Sequence, residues 1–143
     1  MRLGASGWSS PAWLDVFYPS DMPEEWRLTF FNTQFGCVFL AQEVWQLAEP
    51  GQRAQWIADT HEQFVFLLEA DSSLSPPEEM ASKALCLKAD DARILWFSAD
   101  SSLKDLALSL SGGAFVKPEF IVSQDGNFGQ IERVTTLLEV LGL

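Results

Sequence analysis

The sequence has few of the residues on which many metal sites and nucleophilic enzymes depend. It contains two cysteines and one histidine in 143 residues, and the cysteines do not form a CxxC pair. Cys37 lies in a predicted buried strand and Cys86 in a predicted helix. We expect both to be buried, reduced thiols, and a disulfide or a metal-binding pair is the alternative.

Basic residues are also scarce, with nine against 20 acidic residues and a formal net charge of −11. They are scattered along the chain, so phosphate backbones and anionic lipids should be repelled. We therefore expect neither a nucleic acid nor a membrane as partner. A solvated acidic surface that aids solubility explains this charge most simply, and a cation site or a basic partner is the alternative.

Long apolar runs are absent, because no stretch approaches the roughly 20 residues needed to span a bilayer. Met1-Arg2 leads straight into a strand pattern without the apolar segment of a signal peptide, so we expect a cytoplasmic protein. Hydrophobic residues make up 48% of the chain and charged residues 20%, the balance of a folded domain. Without a linker or a low-complexity tract, residues 1–143 are expected to form a single α/β domain.

Short apolar strands alternate with helical patterns five times, which predicts five successive βα units and a mostly parallel sheet. The predicted strands cover residues 2–6, 37–42, 64–69, 94–98 and 119–123. Helical patterns are found over residues 23–35, after residues 49–51, after Pro76-Pro77, from Leu103, and after Asn127, which is the expected helix cap.

Residues 4–19 read GASGWSSPAWLDVFYP, a strand and loop rich in glycine and aromatic residues. This run resembles the opening of the domain of unknown function 72 family, which reads like GTSGWSYxxWxxxFYP. The matching residues are Gly4, Ser6, Gly7, Trp8, Ser9, Trp13, Phe17, Tyr18 and Pro19. The similarity continues more weakly to about residue 70, and it implies a fold related to the TIM barrel, with no established activity.

A fainter similarity to the same family lies at residues 101–107 and 120–127. It implies that the chain keeps the first and last parts of a barrel and lacks the middle. A full eight-stranded barrel needs about 200 residues, so we expect a shortened, divergent member that forms a partial or truncated barrel, and an open sheet is the alternative.

The chain departs from the family where two strands end. The family's TVEINxxFY segment is CVFLAQEVW here, so that Phe39 and Ala41 replace an acidic residue and an asparagine. Glu69 stands where the family usually has lysine. An anionic ligand of the family should therefore bind poorly to this chain.

Ligands of parallel α/β proteins gather beyond the carboxyl ends of the strands, and acidic residues dominate that rim here. These acidic residues are candidates for a metal site, or for a group of carboxyls that raise one another's pKa: Glu43, Glu69, Asp71, Asp100 and Asp125. The alternative is that they cap helices or face water. His61 is expected in a surface loop on the opposite side.

The aromatic residues after the first strand could stack on a sugar or a base, or could plug the top of an incomplete barrel. The candidate ligand-binding residues are Trp8, Trp13, Tyr18, Gln42, Glu43 and Glu69. We predict no cofactor, and the sequence identifies no catalytic residue.

The leading interpretation of function is a degenerate, non-catalytic relative that acts as a small-ligand or protein-interaction module. The alternative is a metal-assisted hydrolase or isomerase that uses the acidic rim. An open, apolar sheet edge favours association, so a homodimer is also expected.

Overall fold

The computed structural model describes residues 1–71, 74–112 and 117–143. Within them are six strands: β1 (Arg2–Ser6), β2 (Cys37–Leu40), β3 (Val65–Glu69), β4 (Ala84–Leu87), β5 (Ile94–Phe97) and β6 (Phe120–Ser123). The same residues form five α-helices: α1 (Arg27–Gln34), α2 (Gln42–Leu47), α3 (Pro50–Ala58), α4 (Leu103–Ser111) and α5 (Phe128–Leu141). The α/β class predicted from the sequence is confirmed.

All strand pairs are parallel, and the six strands form one sheet in the order β4-β3-β2-β1-β6-β5. Strands consecutive in the chain are neighbours up to β4, and the last strand lies beside the first. This is the order of a TIM barrel with a gap between β4 and β5. The sheet is a curled half-barrel, so the predicted partial barrel is confirmed.

The two faces of the sheet bury different sets of side chains. The outer face packs against the helices through residues such as Val38, Phe66 and Ile121, all fully buried. The inner face carries a second buried cluster made of Cys37, Phe39, Leu67, Leu87, Ile94, Phe120 and Val122. Because both faces are covered, strands such as β2 and β6 are buried along their whole length, as their apolar sequences indicate.

Side chains also fill the concave inside of the sheet. The rings of Phe39 in β2 and Trp96 in β5 meet edge to face with 4.8 Å between their centroids, although β1 and β6 lie between these strands. Trp96 Nε1 donates to the carbonyl of Ala89, 2.8 Å away, in the segment that joins β4 to β5. The inside of the half-barrel is therefore filled by side chains.

The predicted helix after Pro76-Pro77 is wrong, and so is the placement of Cys86 in a helix. The chain there forms one short 3₁₀ turn, Glu78–Met80, and then β4, in which Cys86 pairs with Leu68 of β3. The sequence of β4 is ALCL, in which alanine and leucine are good helix formers. Pairing with β3 and burial of Ala84 and Leu87 outweigh that local preference.

Both cysteines, which lie among the described residues, are free thiols. Cys37 is fully buried, and burial raises its pKa to about 12 despite the opposing charge of Arg2. Cys86 is half-buried. The expected burial is therefore found at Cys37, whereas Cys86 is less buried than expected. That both thiols are reduced stays a prediction.

Candidate functional site

Backbone hydrogen bonds, within the loop and to β2, hold the loop that follows β1, residues 7–18. Gly7 has φ of +86°, which lets the chain turn away from the sheet, and its N–H donates to the carbonyl of Phe39, 3.0 Å away. The N–H groups of Phe17 and Tyr18 both donate to the carbonyl of Trp13, 2.9 Å away. The loop is thus a fixed wall beside the ends of β1 and β2.

Trp13, one of the predicted ligand-binding residues, lies in the core. Its ring stacks on Phe31 and Phe35 at centroid distances of 5.9 and 5.8 Å, and 1% of the residue is exposed. Its Nε1 donates to the carbonyl of Gly126, 2.8 Å away at the start of α5. Trp13 therefore joins the β1 loop to the helix layer.

Tyr18, a second predicted ligand-binding residue, is equally buried. Its hydroxyl donates to the carbonyl of Trp8, 2.6 Å away, which fixes the backbone at Trp8. Burial raises the pKa of Tyr18, and the nearby Arg27 charge lowers it by less. Neither Trp13 nor Tyr18 offers a ring face at the surface, so both belong to the support of the site.

Trp8 is the aromatic residue of the loop that remains partly exposed at the rim. Its ring meets Trp56 of α3 edge to face, with 5.3 Å between the centroids. It borders a groove of about 320 Å³ between the β1 loop and the end of β2, which we call the rim groove. The residues that line the rim groove are Ser6, Gly7, Trp8, Ser9, Ser10, Phe39, Leu40, Ala41 and Val44.

Gln42, Glu43 and Glu69 come together in a neighbouring depression of about 440 Å³, which shares Ala41 with the rim groove. Glu69 Oε1 accepts the N–H of Gln42 at 3.1 Å, and its carbonyl accepts Trp45 Nε1 at 2.9 Å. Glu69 therefore fixes the start of α2. The sequence placed these three residues at one edge of the sheet, and they lie together there.

The other acidic candidates do not complete a metal site. Asp71 and Asp100 are exposed, and Asp125 accepts the backbone N–H groups of Ala99 and Asn127 at 2.9 and 3.1 Å. The bond from Ala99 is the main reason that the pKa of Asp125 lies below its ordinary value. Within the described part of the chain, no three His, Cys, Asp or Glu side chains come close enough to hold one metal ion.

Sequence reasoning missed three residues that line the rim groove. Ser9 and Ser10 supply hydroxyl groups beside Trp8, and Val44 supplies an apolar wall from α2. Both serines lie in the loop just after β1, which is the available signal for a rim position. Val44 carried no such signal, because no pattern predicted the short helix α2 after the expected end of the second strand at residue 42.

The β1 loop and the rim groove lie in a region that is similar to a known protein family. The sequence model of the family described as "protein of unknown function DUF72" matches residues 2–106 of the 143. The chain belongs to the DUF72 family. The match runs from β1 to the first turns of α4, so it includes the whole β1 loop and every residue of the rim groove.

Membership of the DUF72 family assigns no activity, since the family is itself described as having unknown function. No curated protein and no solved structure matches the chain. β6 and α5 lie beyond the matched range, although β6 pairs with β1 as the last strand of a barrel would. Among the described residues, no helix has both the length and the apolar character that a membrane crossing requires.

Proposed function

We propose that this DUF72 protein is a non-catalytic binding module whose rim groove takes a small, neutral, polar molecule with a flat apolar face. Sugars and nucleosides have this combination of an apolar face and a polar edge. The observation that carries the proposal is the fixed, partly exposed indole of Trp8 at the mouth of a groove of about 320 Å³. That volume lies at the lower end of the range of small-molecule sites.

Trp8 is held from two sides, which supports a role as a rigid stacking surface. Tyr18 bonds its carbonyl, and Trp56 packs against its ring. An aromatic ring that is already fixed loses little conformational entropy when a ligand stacks on it. Trp13 and the aromatic side chains packed around it thus support the loop that holds Trp8 in place.

The polar groups around the rim groove favour a neutral ligand. Ser6, Ser9 and Ser10 can each donate and accept hydrogen bonds with hydroxyl or amide groups. Among the described residues that line the groove, none has an ionisable side chain. Glu43 and Glu69 lie in the adjoining depression, and the chain is acidic overall, so anions are disfavoured.

The same lining supports a non-catalytic role. General acid–base or nucleophilic catalysis needs a titratable group within hydrogen-bond reach of the reacting atoms. Serine hydroxyls at this rim lack an adjacent base among the described residues of the groove. His61 is exposed and lies after α3, beyond the amino-terminal end of β3.

The experiment is saturation-transfer NMR with glucose, N-acetylglucosamine, adenosine and uridine as probes. We expect at least one probe to receive saturation from the wild-type protein and to lose it with Trp8→Ala. Trp26→Ala is the matched control, because Trp26 is exposed outside the rim groove. Equal transfer from the wild type and Trp8→Ala would overturn the proposal.

Calorimetric titration with magnesium, manganese, calcium and zinc separates this proposal from the metal-assisted alternative. We expect no saturable heat from any of the four ions. A saturable heat that Glu69→Gln abolishes would favour the acidic rim as a metal-dependent site and would contradict a neutral binding module.

A further inference from the structure

A second, larger groove lies on the outside of the molecule between α1 and α3, and it meets the rim groove at Trp8, Ser9 and Val44. It consists of two depressions of about 740 and 580 Å³ that share Glu25, Gln55 and Asp59, and we call it the outer groove. The apolar residues that line the larger depression are Met22, Trp26 and Phe30. Its acidic lining residues are Glu24, Glu25 and Asp59.

Trp26 gives this surface an apolar character that the fold does not require. It is 62% exposed, and it ends the 3₁₀ turn that precedes α1. Met22 and Phe30 beside it are only partly buried. Tryptophan is enriched at the energetic centres of protein interfaces, and a continuous exposed apolar patch commonly marks such an interface.

The charge around the outer groove is strongly negative. Residues 1–79, which include all the residues that line the groove, contain three basic and twelve acidic residues. Arg53 is bonded to Glu79 at 2.6 Å, Arg2 donates to the carbonyl of Gln63, and Arg27 lies over the ring of Tyr18. These contacts direct the three basic side chains to partners other than Glu24, Glu25 and Asp59.

We propose that the outer groove docks a basic, amphipathic segment of another protein. An apolar side chain of that segment would cover Trp26, Met22 and Phe30, while its lysines or arginines would face Glu24, Glu25 and Asp59. Electrostatic complementarity of this kind steers association and selects the partner. A second copy of this chain is disfavoured because it would bring another net charge of −11 to the same surface.

The proposal can be tested separately from the function assigned to the rim groove. The side chains on which it depends are Trp26, Glu25 and Asp59, and none of them lines the rim groove. The smaller depression shares Trp8, Ser9 and Val44 with the rim groove, so Trp8→Ala does not separate the two proposals. Trp26→Ala does separate them, because it should weaken peptide docking and leave small-molecule binding at the rim groove unchanged.

The test uses fluorescence anisotropy with two labelled model peptides of equal length and an identical leucine face. One has lysine on its polar face and the other has glutamate. At an ionic strength of about 0.15 M, we expect the lysine peptide to bind the wild-type chain and the glutamate peptide not to bind. Binding of the lysine peptide should weaken as salt is added, and failure of that peptide to bind would overturn the proposal.

Two matched pairs of variants locate the binding. Glu25→Lys with Asp59→Lys should weaken binding of the lysine peptide roughly tenfold or more. Glu132→Lys with Glu139→Lys makes the same change in net charge on the exposed part of α5 and should have a much smaller effect. Trp26→Ala should also weaken binding about tenfold, whereas Leu47→Ala, at another exposed apolar side chain, should not.

Equal losses in the two charge-reversal pairs would show attraction to net charge alone and would overturn the assignment of the groove. Because Asp59 is half-buried and the other substituted side chains are exposed, the variants are expected to fold, which circular dichroism checks. Sedimentation equilibrium measures whether the chain associates with itself. Self-association that Trp26→Ala abolishes would identify a second copy as the occupant and would contradict the proposal.

Discussion

Gly4 lies in the middle of β1 at a point where the backbone of β2 leaves no room for a side chain. A Cβ built on Gly4 would meet the carbonyl oxygen of Cys37 and would lie 2.6 Å from its sulfur. We expect Gly4→Ala to lower the free energy of unfolding by about 1–3 kcal/mol or more, since a packed sheet yields little. Urea denaturation measures this change.

Gly51→Ala is the control for that substitution. Gly51 lies in the first turn of α3, and no atom lies within 4 Å of the position of its Cβ. Alanine there should be neutral or stabilising by up to about 1 kcal/mol. If both variants have the stability of the wild type, the described contact between β1 and β2 is wrong.

Asp125 makes the stability of the β5–β6 rim depend on pH. Its carboxylate accepts the N–H groups of Ala99 and Asn127, and these bonds lower its pKa below the ordinary value of 3.8. The contribution of Asp125 to stability is therefore complete above pH 3.8 and is lost as the pH falls through the lowered pKa.

The measurement is the difference in free energy of unfolding between the wild type and Asp125→Asn as a function of pH. We expect the wild type to be the more stable protein near neutral pH and the difference to shrink as the pH falls below 3.8. A difference that is constant with pH would rule out this role of the charge. Asp100→Asn, at an exposed carboxylate of the same rim, is the control.

At the level of elements, Lys83 connects the end of α3 to the start of β4. Its Nζ donates to the carbonyls of Ile57 and Thr60 at 2.8 and 2.7 Å. Lys83→Met keeps the aliphatic stem and removes these charged hydrogen bonds, so we expect a loss of about 1–3 kcal/mol in thermal or urea unfolding. Lys88→Met, at an exposed lysine after β4, should change little, and equal effects would contradict the connection.

Periodicity was sufficient to predict the elements that carry a clear pattern. The strands β1, β2, β3, β5 and β6 fall within a residue or two of their expected positions, and Asn127 caps α5 by accepting the N–H of Gln130. β4 was missed because Ala84–Leu87 lacks β-branched and aromatic residues, and only its pairing with β3 makes it a strand.

The candidate site was harder to predict than the fold, for a physical reason. Aromatic residues in a loop have no periodicity that distinguishes a buried ring from an exposed one. Trp13 and Tyr18 are held inside by contacts with α1 and α5 that are distant in sequence, whereas Trp8, in the same loop, reaches the rim. Position at the end of a strand was informative for Gln42, Glu43 and Glu69, because strand ends follow from the pattern.

At the level of the whole molecule, the proposal of a homodimer is based on the open sheet edges at β4 and β5. Leu85 of β4, which pairs in register with Leu67, is 39% exposed at this opening. Residues 83–93 contain three basic and two acidic residues, so the edges are less repelled by a second copy than the rest of the acidic chain is.

Static light scattering at tens of micromolar protein tests this association. We expect a dimer for the wild type and a monomer for Leu85→Lys, while Leu108→Lys, at an exposed side chain of α4, should remain dimeric. A monomeric wild type would contradict the homodimer. The outcome leaves the rim groove unaffected, because the groove is built from β1, β2 and α2.

The central claim is that the DUF72 protein binds a neutral small molecule beside Trp8, and titration followed by ¹H–¹⁵N NMR tests it most directly. With the same sugars and nucleosides, we predict shifts of the Trp8 indole N–H and of the Ser9 and Ser10 amides, with the Trp26 indole unchanged. Shifts that cluster elsewhere, or an unchanged Trp8 signal with every probe, would contradict the claim.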